Sequence, residues 1–71
     1  MNYRALDDRE RYVVHRILQS EAMGSAWATL AYREDQAAAL RLARLELVLF
    51  AEAGADFTVR RANGVRIEDL A

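Results

Sequence analysis

The sequence contains no cysteine and no proline, and glycine occurs at only three positions. Without cysteine, neither a disulfide nor a thiolate metal site can stabilise the fold. A chain of 71 residues forms one small domain, and domains of this size bury only about 60% of their unfolded surface. Stability must therefore come from a dense apolar core or from association, and the hydrophobic content of 54% makes such a core feasible.

The sequence also lacks lysine, since all ten basic residues are arginine. It has no excess of basic residues, and the net charge is −1. Proteins that bind nucleic acid usually carry a strong excess of positive charge. The longest uncharged run, residues 22–32, is shorter than the roughly 20 apolar residues that span a membrane. Residues 1–11 lack the apolar segment of a signal peptide. These features predict a soluble, cytoplasmic protein without a membrane partner.

A first helix is predicted from about residue 8 to residue 22. Asp7 suits the N-cap position, and Glu10 follows three residues later, as in a capping box. Gly24 suits the position just after the helix, where φ is often positive. Apolar side chains recur at helical spacing and share one face: Leu6, Val13, Val14, Ile17 and Leu18.

Residues 25–34 are compatible with two structures. A short helix capped by Ser25 would place Trp27, Leu30 and Ala31 on one face. A strand would instead place Ala28, Leu30 and Tyr32 on one side. The alanine content favours the helix, and large aromatics such as Trp27 are expected in the core of so small a chain.

A second, longer helix is predicted from about residue 36 to residue 53, capped by Asp35 and ended by Gly54. No helix-breaking residue lies between these ends. Such a helix would be apolar on two faces, which predicts burial on more than one side. The second face, which includes Leu42 and Leu49, is therefore also a candidate homodimer interface.

The chain is predicted to end in a β-hairpin of about residues 57–67. A three-residue loop, with Gly64 in the left-handed conformation, pairs Val59 with Ile67 and keeps the apolar residues on one face. The same register places Arg60 opposite Arg66 on the outer face. The predicted fold is thus α+β, with two or three helices followed by a C-terminal hairpin packed on the long central helix.

Residues for catalysis or for a cofactor are scarce. His15 is the only histidine and lies off the predicted apolar stripe, so no metal site is predicted. No local motif joins a serine or threonine to a base, and the adjacent acidic pairs fit helix caps or a solvated chain end. The sequence predicts no enzyme activity, no cofactor and no catalytic residue.

Two groups of residues are candidates for binding a partner. Directly opposed arginines are unfavourable, so Arg60, Arg61 and Arg66 form a candidate site for an acidic surface or a phosphate. Tyr12 and Arg16 lie on the polar side of the first helix and are residue types enriched at interfaces. We interpret the protein as a non-enzymatic protein-binding module, such as an inhibitor, adaptor or assembly factor of a larger protein or complex. The alternatives are a nucleic-acid-binding regulator that uses the hairpin arginines, and a structural homo-oligomer.

Overall fold

The computed structural model describes residues 5–70, which form two helices and a three-stranded antiparallel sheet. The α+β class predicted from the sequence is confirmed. None of the helices in this described part is sufficiently long and apolar to cross a membrane. The strand order in the sheet is β1-β3-β2. Along the chain the elements are α1 (Asp8–Ala22), β1 (Ala28–Thr29), α2 (Arg33–Arg44), β2 (Val48–Ala53), β3 (Asp56–Arg61) and a 3-10 helix (Ile67–Leu70).

Helix α1 has the predicted bounds and both predicted end signals. The backbone N–H of Glu10 donates to Asp7 Oδ1 at 2.8 Å, and the backbone N–H of Asp7 donates to Glu10 Oε1 at 3.0 Å, which completes the capping box. The helix ends in a Schellman motif, because Gly24 adopts a φ of 90° and Ser25 N donates to Ser20 O.

The segment 25–34 contains a strand, so the favoured short helix is wrong. Ala28 pairs with Val59, and Thr29 pairs with Thr58. Pairing with β3 overrides the helix propensity of alanine, which is a weak preference. Ala28 and Leu30 are buried on one side, as the strand alternative predicts, whereas Tyr32 is exposed.

The predicted long helix of residues 36–53 is also wrong, because α2 ends at Arg44 and residues 48–53 are strand β2. The stop is a second Schellman motif, in which Glu46 has a φ of 63° and Leu47 N donates to Leu42 O at 3.1 Å. No glycine marks this end of the helix. At its start the N-cap is Tyr32, while the predicted cap Asp35 is buried.

The hairpin consists of β2 and β3, joined at Gly54 and Ala55, and not of residues 57–67. Val59 lies opposite Phe50, and Ile67 reaches the core from the 3-10 helix instead of from a strand. The six residues of β2 give β3 a complete antiparallel partner, which the short segment after Gly64 does not match.

The two helices cover one face of the sheet, which we call the inner face. It carries the buried side chains of Val48, Val59 and Ala28, and α1 packs on β1 and β3 while α2 packs on β2. The opposite, outer face carries exposed residues such as Leu49 and Thr29, and no described element covers it. Leu42 is buried in the core and Leu49 belongs to β2, so the predicted second helical face for a homodimer does not exist. The core residues are Val13, Val14, Ile17, Ala28, Leu30, Ala38, Ala39, Leu42, Leu47, Val48, Phe57, Val59 and Ile67.

Candidate binding surface

A groove of about 550 Å³ lies between α1 and β1. Its α1 wall consists of side chains that lie three or four residues apart, as neighbours on one side of a helix do. Its other wall is the segment that leads into β1. The lining residues are Tyr12, Arg16, Gln19, Ser20 and Met23 from the helix and its end, and Trp27, Ala28 and Thr29 from the β1 side.

Hydrogen bonds hold the two walls of the groove together. The hydroxyls of Ser20 and Ser25 both donate to the carbonyl of Trp27, at 2.8 and 2.9 Å. The Arg16 guanidinium donates through Nη2 to the carbonyl of Thr29 at 3.1 Å. These bonds fix the backbone at Trp27 and at Thr29, and the Trp27 side chain lies at the wall of the groove with 38% of the residue's surface exposed. Met23, at one end, is 80% exposed.

Arg60 extends the groove wall onto the outer face of the sheet. Its guanidinium carbon lies 5.6 Å from the centroid of the Trp27 ring, which is a cation–π distance. Nη2 donates to Asn63 Oδ1 at 3.4 Å, and Nε is buried without a hydrogen-bond partner among the described residues. The Trp27 ring is therefore stacked on a guanidinium, that of Arg60, whose hydrogen-bonding groups are not all used within the described residues.

Both Arg16 and Arg60 border the groove, and neither forms an ion pair with a carboxylate within residues 5–70. Nearby cations are different: Arg9, which lies 5.9 Å from the Tyr12 ring, pairs with Asp35. We define the arginine–aromatic surface as Tyr12, Arg16, Met23, Trp27 and Arg60. Its charge is positive, and neither of its arginines is in ion-pair contact with a carboxylate of the described residues.

Arg61, although adjacent to Arg60 in the sequence, lies at the inner face and is neutralised there. Its Nε donates to Glu21 Oε2 at 2.7 Å, and its Nη2 donates to Glu21 Oε1 at 2.6 Å and to Glu68 Oε2 at 2.8 Å. Nη1 donates to the carbonyl of Val65. The hydrogen bonds from Arg61 lower the pKa of the Glu21 and Glu68 carboxyls below the usual range. Arg61 thus connects α1, β3 and the 3-10 helix.

Arg66 is the most exposed of the three arginines predicted as a cluster, at 77% of its side chain. Its Nε lies 3.5 Å from Glu68 and 3.9 Å from Asp69. In the structure Arg60 lies opposite Leu49 rather than Arg66. The predicted cluster of Arg60, Arg61 and Arg66 is therefore divided among three environments, because the hairpin register on which it rested is wrong.

Of the residues singled out in the sequence, the structure brings Tyr12 and Arg16 together in the groove and places Arg60 beside it. Trp27 and Met23 complete the surface, although Trp27 was expected in the core. The signal for Trp27 was the alternation of Trp27 with the small Ala28, which in a strand places one side chain outward and the next inward. His15 is exposed and outside the groove lining, and no set of three potential metal ligands occurs among the described residues.

Comparison with protein-family models, with curated proteins and with solved structures finds no match to this chain. Inferences about function therefore rest on the geometry and charge of the surface described above.

Proposed function

We propose that the protein is a non-enzymatic binding module whose arginine–aromatic surface holds an acidic segment of a larger protein. An inhibitor, an adaptor or an assembly factor would act in this way. The observation that carries the proposal is the arrangement of Arg16 and Arg60 around the exposed ring of Trp27, without a carboxylate partner for either arginine in the described part of the chain.

The composition of the surface favours a protein partner. Trp, Tyr and Arg are the residue types that contribute most to the energy of protein–protein interfaces, and exposed methionine adapts to apolar partner side chains. A nucleic acid would require several arginines along the path of its backbone. Here Arg61 is already bound by two glutamates, and the whole chain carries a net charge of −1.

An acidic segment matches the surface because each free guanidinium can bind a carboxylate through two parallel hydrogen bonds. Arg16 is held by the Thr29 carbonyl and Arg60 by the Trp27 ring, so both side chains are ordered before binding. Pre-ordering reduces the entropy that binding must overcome. An aromatic or aliphatic residue beside the acids would contact Trp27 and Met23.

The test is an affinity pull-down from lysate with mass spectrometry, in which the wild type is compared with Trp27→Ala and with Arg66→Ala. Arg66 is a matched control, since it is exposed and lies outside the surface. We expect a partner that is retained by wild type and by Arg66→Ala and lost by Trp27→Ala. With the purified partner, titration calorimetry should show a loss of affinity of about 30-fold for Trp27→Ala, as for an interface hot spot.

Two outcomes would contradict the proposal. Equal recovery of the partner by Trp27→Ala and wild type would place the binding site elsewhere. Retardation of DNA or RNA in an electrophoretic shift assay at low salt, abolished by Arg60→Ala, would assign the same surface to nucleic acid and establish the alternative function.

A further inference from the structure

Strand β2 forms one edge of the sheet, and its free side carries a regular set of backbone groups. In an antiparallel pair, successive residues direct their N–H and C=O groups alternately toward and away from the partner strand. Ala62 N donates to Leu47 O at 3.1 Å, one pair before Val48 and Arg61. The odd-numbered residues of β2 therefore hydrogen-bond to β3, and the backbones of Val48, Phe50 and Glu52 face the free edge.

This edge lacks three features that usually prevent strands of different molecules from pairing, namely short length, proline and bulges, and its single charged residue is Glu52. The other edge strand, β1, has only two residues. By contrast β2 has six residues, VLFAEA, which pair with β3 without interruption. Leu49 and Phe50 expose 45% and 43% of their surfaces. The edge is thus long, continuous and apolar at its centre.

We propose that a second copy of this chain occupies the edge, with the two β2 strands antiparallel and the two-fold axis at Phe50. In this register the edge-facing Phe50 of one copy pairs with Phe50 of the other, and Val48 pairs with Glu52. On the outer face, Leu49 lies opposite the small Ala51. The two Phe50 rings can contact each other, Leu49 meets a small residue and no like charges are opposed, so the edge is complementary to itself.

The neighbouring registers are less favourable. An axis at Ala51 would place each Phe50 opposite Glu52 and so separate the two Phe50 rings, and an axis at Leu49 would shorten the overlap of the strands. With the axis at Phe50, the existing stack of Phe50 on Phe57, with centroids 5.6 Å apart, would be continued by the stack of the second copy. Aromatic contact across the axis therefore selects this register.

The dimer would contain one six-stranded sheet, with the arginine–aromatic surfaces of both copies on the same side. A partner with two acidic segments would then be bound at two sites at once, which increases avidity without new contacts. Because the contact is a single strand pair, we expect a small interface and a concentration-dependent dimer.

Sedimentation equilibrium tests the association. The mass of the wild type should rise from 8.1 kDa toward twice that value as concentration increases. Ala51→Lys, which places two cations beside the axis, should weaken dimerisation at least tenfold. Ala31→Lys, an exposed position beyond the opposite edge strand, should dimerise like wild type. Circular dichroism verifies that both variants are folded. A wild type that stays at 8.1 kDa at every concentration would overturn the proposal.

Disulfide trapping tests the register, and the absence of native cysteine removes background cross-linking. Leu49 and Ala51 face each other in the proposed dimer at a pair that is not hydrogen-bonded, where side chains are closest. A mixture of Leu49→Cys and Ala51→Cys should therefore form a mixed disulfide dimer faster than either variant forms its own. Faster self-cross-linking of Ala51→Cys or of Leu49→Cys would contradict the axis at Phe50.

Discussion

The two faces of strand β3 carry neighbouring arginines in opposite situations. Arg61, on the inner face, has four hydrogen bonds, three of them to Glu21 and Glu68. Arg60, on the outer face, stacks on Trp27 and has only a 3.4 Å contact to Asn63. Arg60 and Arg61 are adjacent in the sequence, but successive side chains of a strand point to opposite faces. Arg61 is therefore a structural cation, whereas Arg60 is available to a partner.

The same contrast, between arginines paired with carboxylates and arginines without such a pair, occurs elsewhere in the molecule. Where α1 meets α2, the buried carboxylate of Glu10 accepts from Arg41 Nε at 3.0 Å, and the buried carboxylate of Asp35 accepts from Arg9 at 3.0 Å. On the groove side, Arg16 has only a backbone carbonyl. The number of arginines in the sequence is therefore a poor guide to a binding site. A better guide is an arginine that has no ion pair and also lies beside an exposed aromatic ring, as Arg60 does.

The largest effect is expected from breaking a pair between the helices. In Arg41→Met the aliphatic part of the side chain is kept, but the hydrogen bond from Arg41 Nε to the buried carboxylate of Glu10 is lost. A hydrogen bond to a charged group contributes roughly 1.5–3 kcal/mol, and we expect a loss of about 2 kcal/mol in the free energy of unfolding. Urea unfolding followed by circular dichroism measures the change.

Arg33→Met is the matched control for that experiment, because Arg33 is exposed on the same helix and has no ion pair in the described part of the chain. Its effect should stay within about 0.5 kcal/mol. Equal destabilisation by Arg41→Met and Arg33→Met would show that the pairing of Arg41 with Glu10 does not stabilise the fold.

The different roles of Arg60 and Arg61 predict different effects when each is replaced with methionine and both stability and binding are measured. Arg61→Met removes the contacts among α1, β3 and the 3-10 helix, so its urea midpoint should fall clearly below that of wild type. Arg60→Met should change the free energy of unfolding by no more than about 0.5 kcal/mol. Affinity for the acidic partner should show the reverse order, with the larger loss in Arg60→Met.

If Arg60→Met and Arg61→Met changed stability equally and also changed affinity equally, the assignment of a structural role to Arg61 and a binding role to Arg60 would be contradicted. The affinity measurement requires a folded Arg61→Met protein. It is therefore carried out without urea and at a low temperature, where circular dichroism shows a wild-type spectrum.

The sequence predicts α1 well because every signal is local. Asp7 and Glu10 define its start, Gly24 defines its end, and both positions act as predicted. The end of α2 has no comparable signal. The left-handed position is filled by Glu46, a residue that rarely adopts this conformation, so the pattern of leucines reads as one continuous helix through residue 53.

The error in α2 also explains what was missed in the binding surface. Once residues 48–53 are assigned to a helix, β3 has no partner except the segment after Gly64, and Arg60 is then paired with Arg66. The true register depends on contacts between β3 and both β1 and β2, which are distant along the chain. Tyr12 and Arg16 could be identified because the periodicity of one helix suffices to place them together.

The smallest effect concerns the acid dependence of the inner-face cluster. Arg61 holds the pKa of both Glu21 and Glu68 below their ordinary value near 4.5. The unfolded chain therefore takes up protons at a higher pH than the folded one. The stabilisation by these carboxylates is complete above about pH 4.5 and is lost as the pH falls through the lower folded values. Urea unfolding at pH 7 and pH 3 should show less acid destabilisation in Glu21→Gln than in wild type.

Glu52→Gln is the control, since Glu52 is exposed on β2 and has no ion pair among the described residues. This variant should lose as much stability between pH 7 and pH 3 as wild type does. Because the contacts of Arg61 lie near the surface, we expect the difference between Glu21→Gln and wild type to be small and to shrink in high salt. A Glu21→Gln variant that is as acid-sensitive as wild type would show that Arg61 holds the inner face through packing rather than charge.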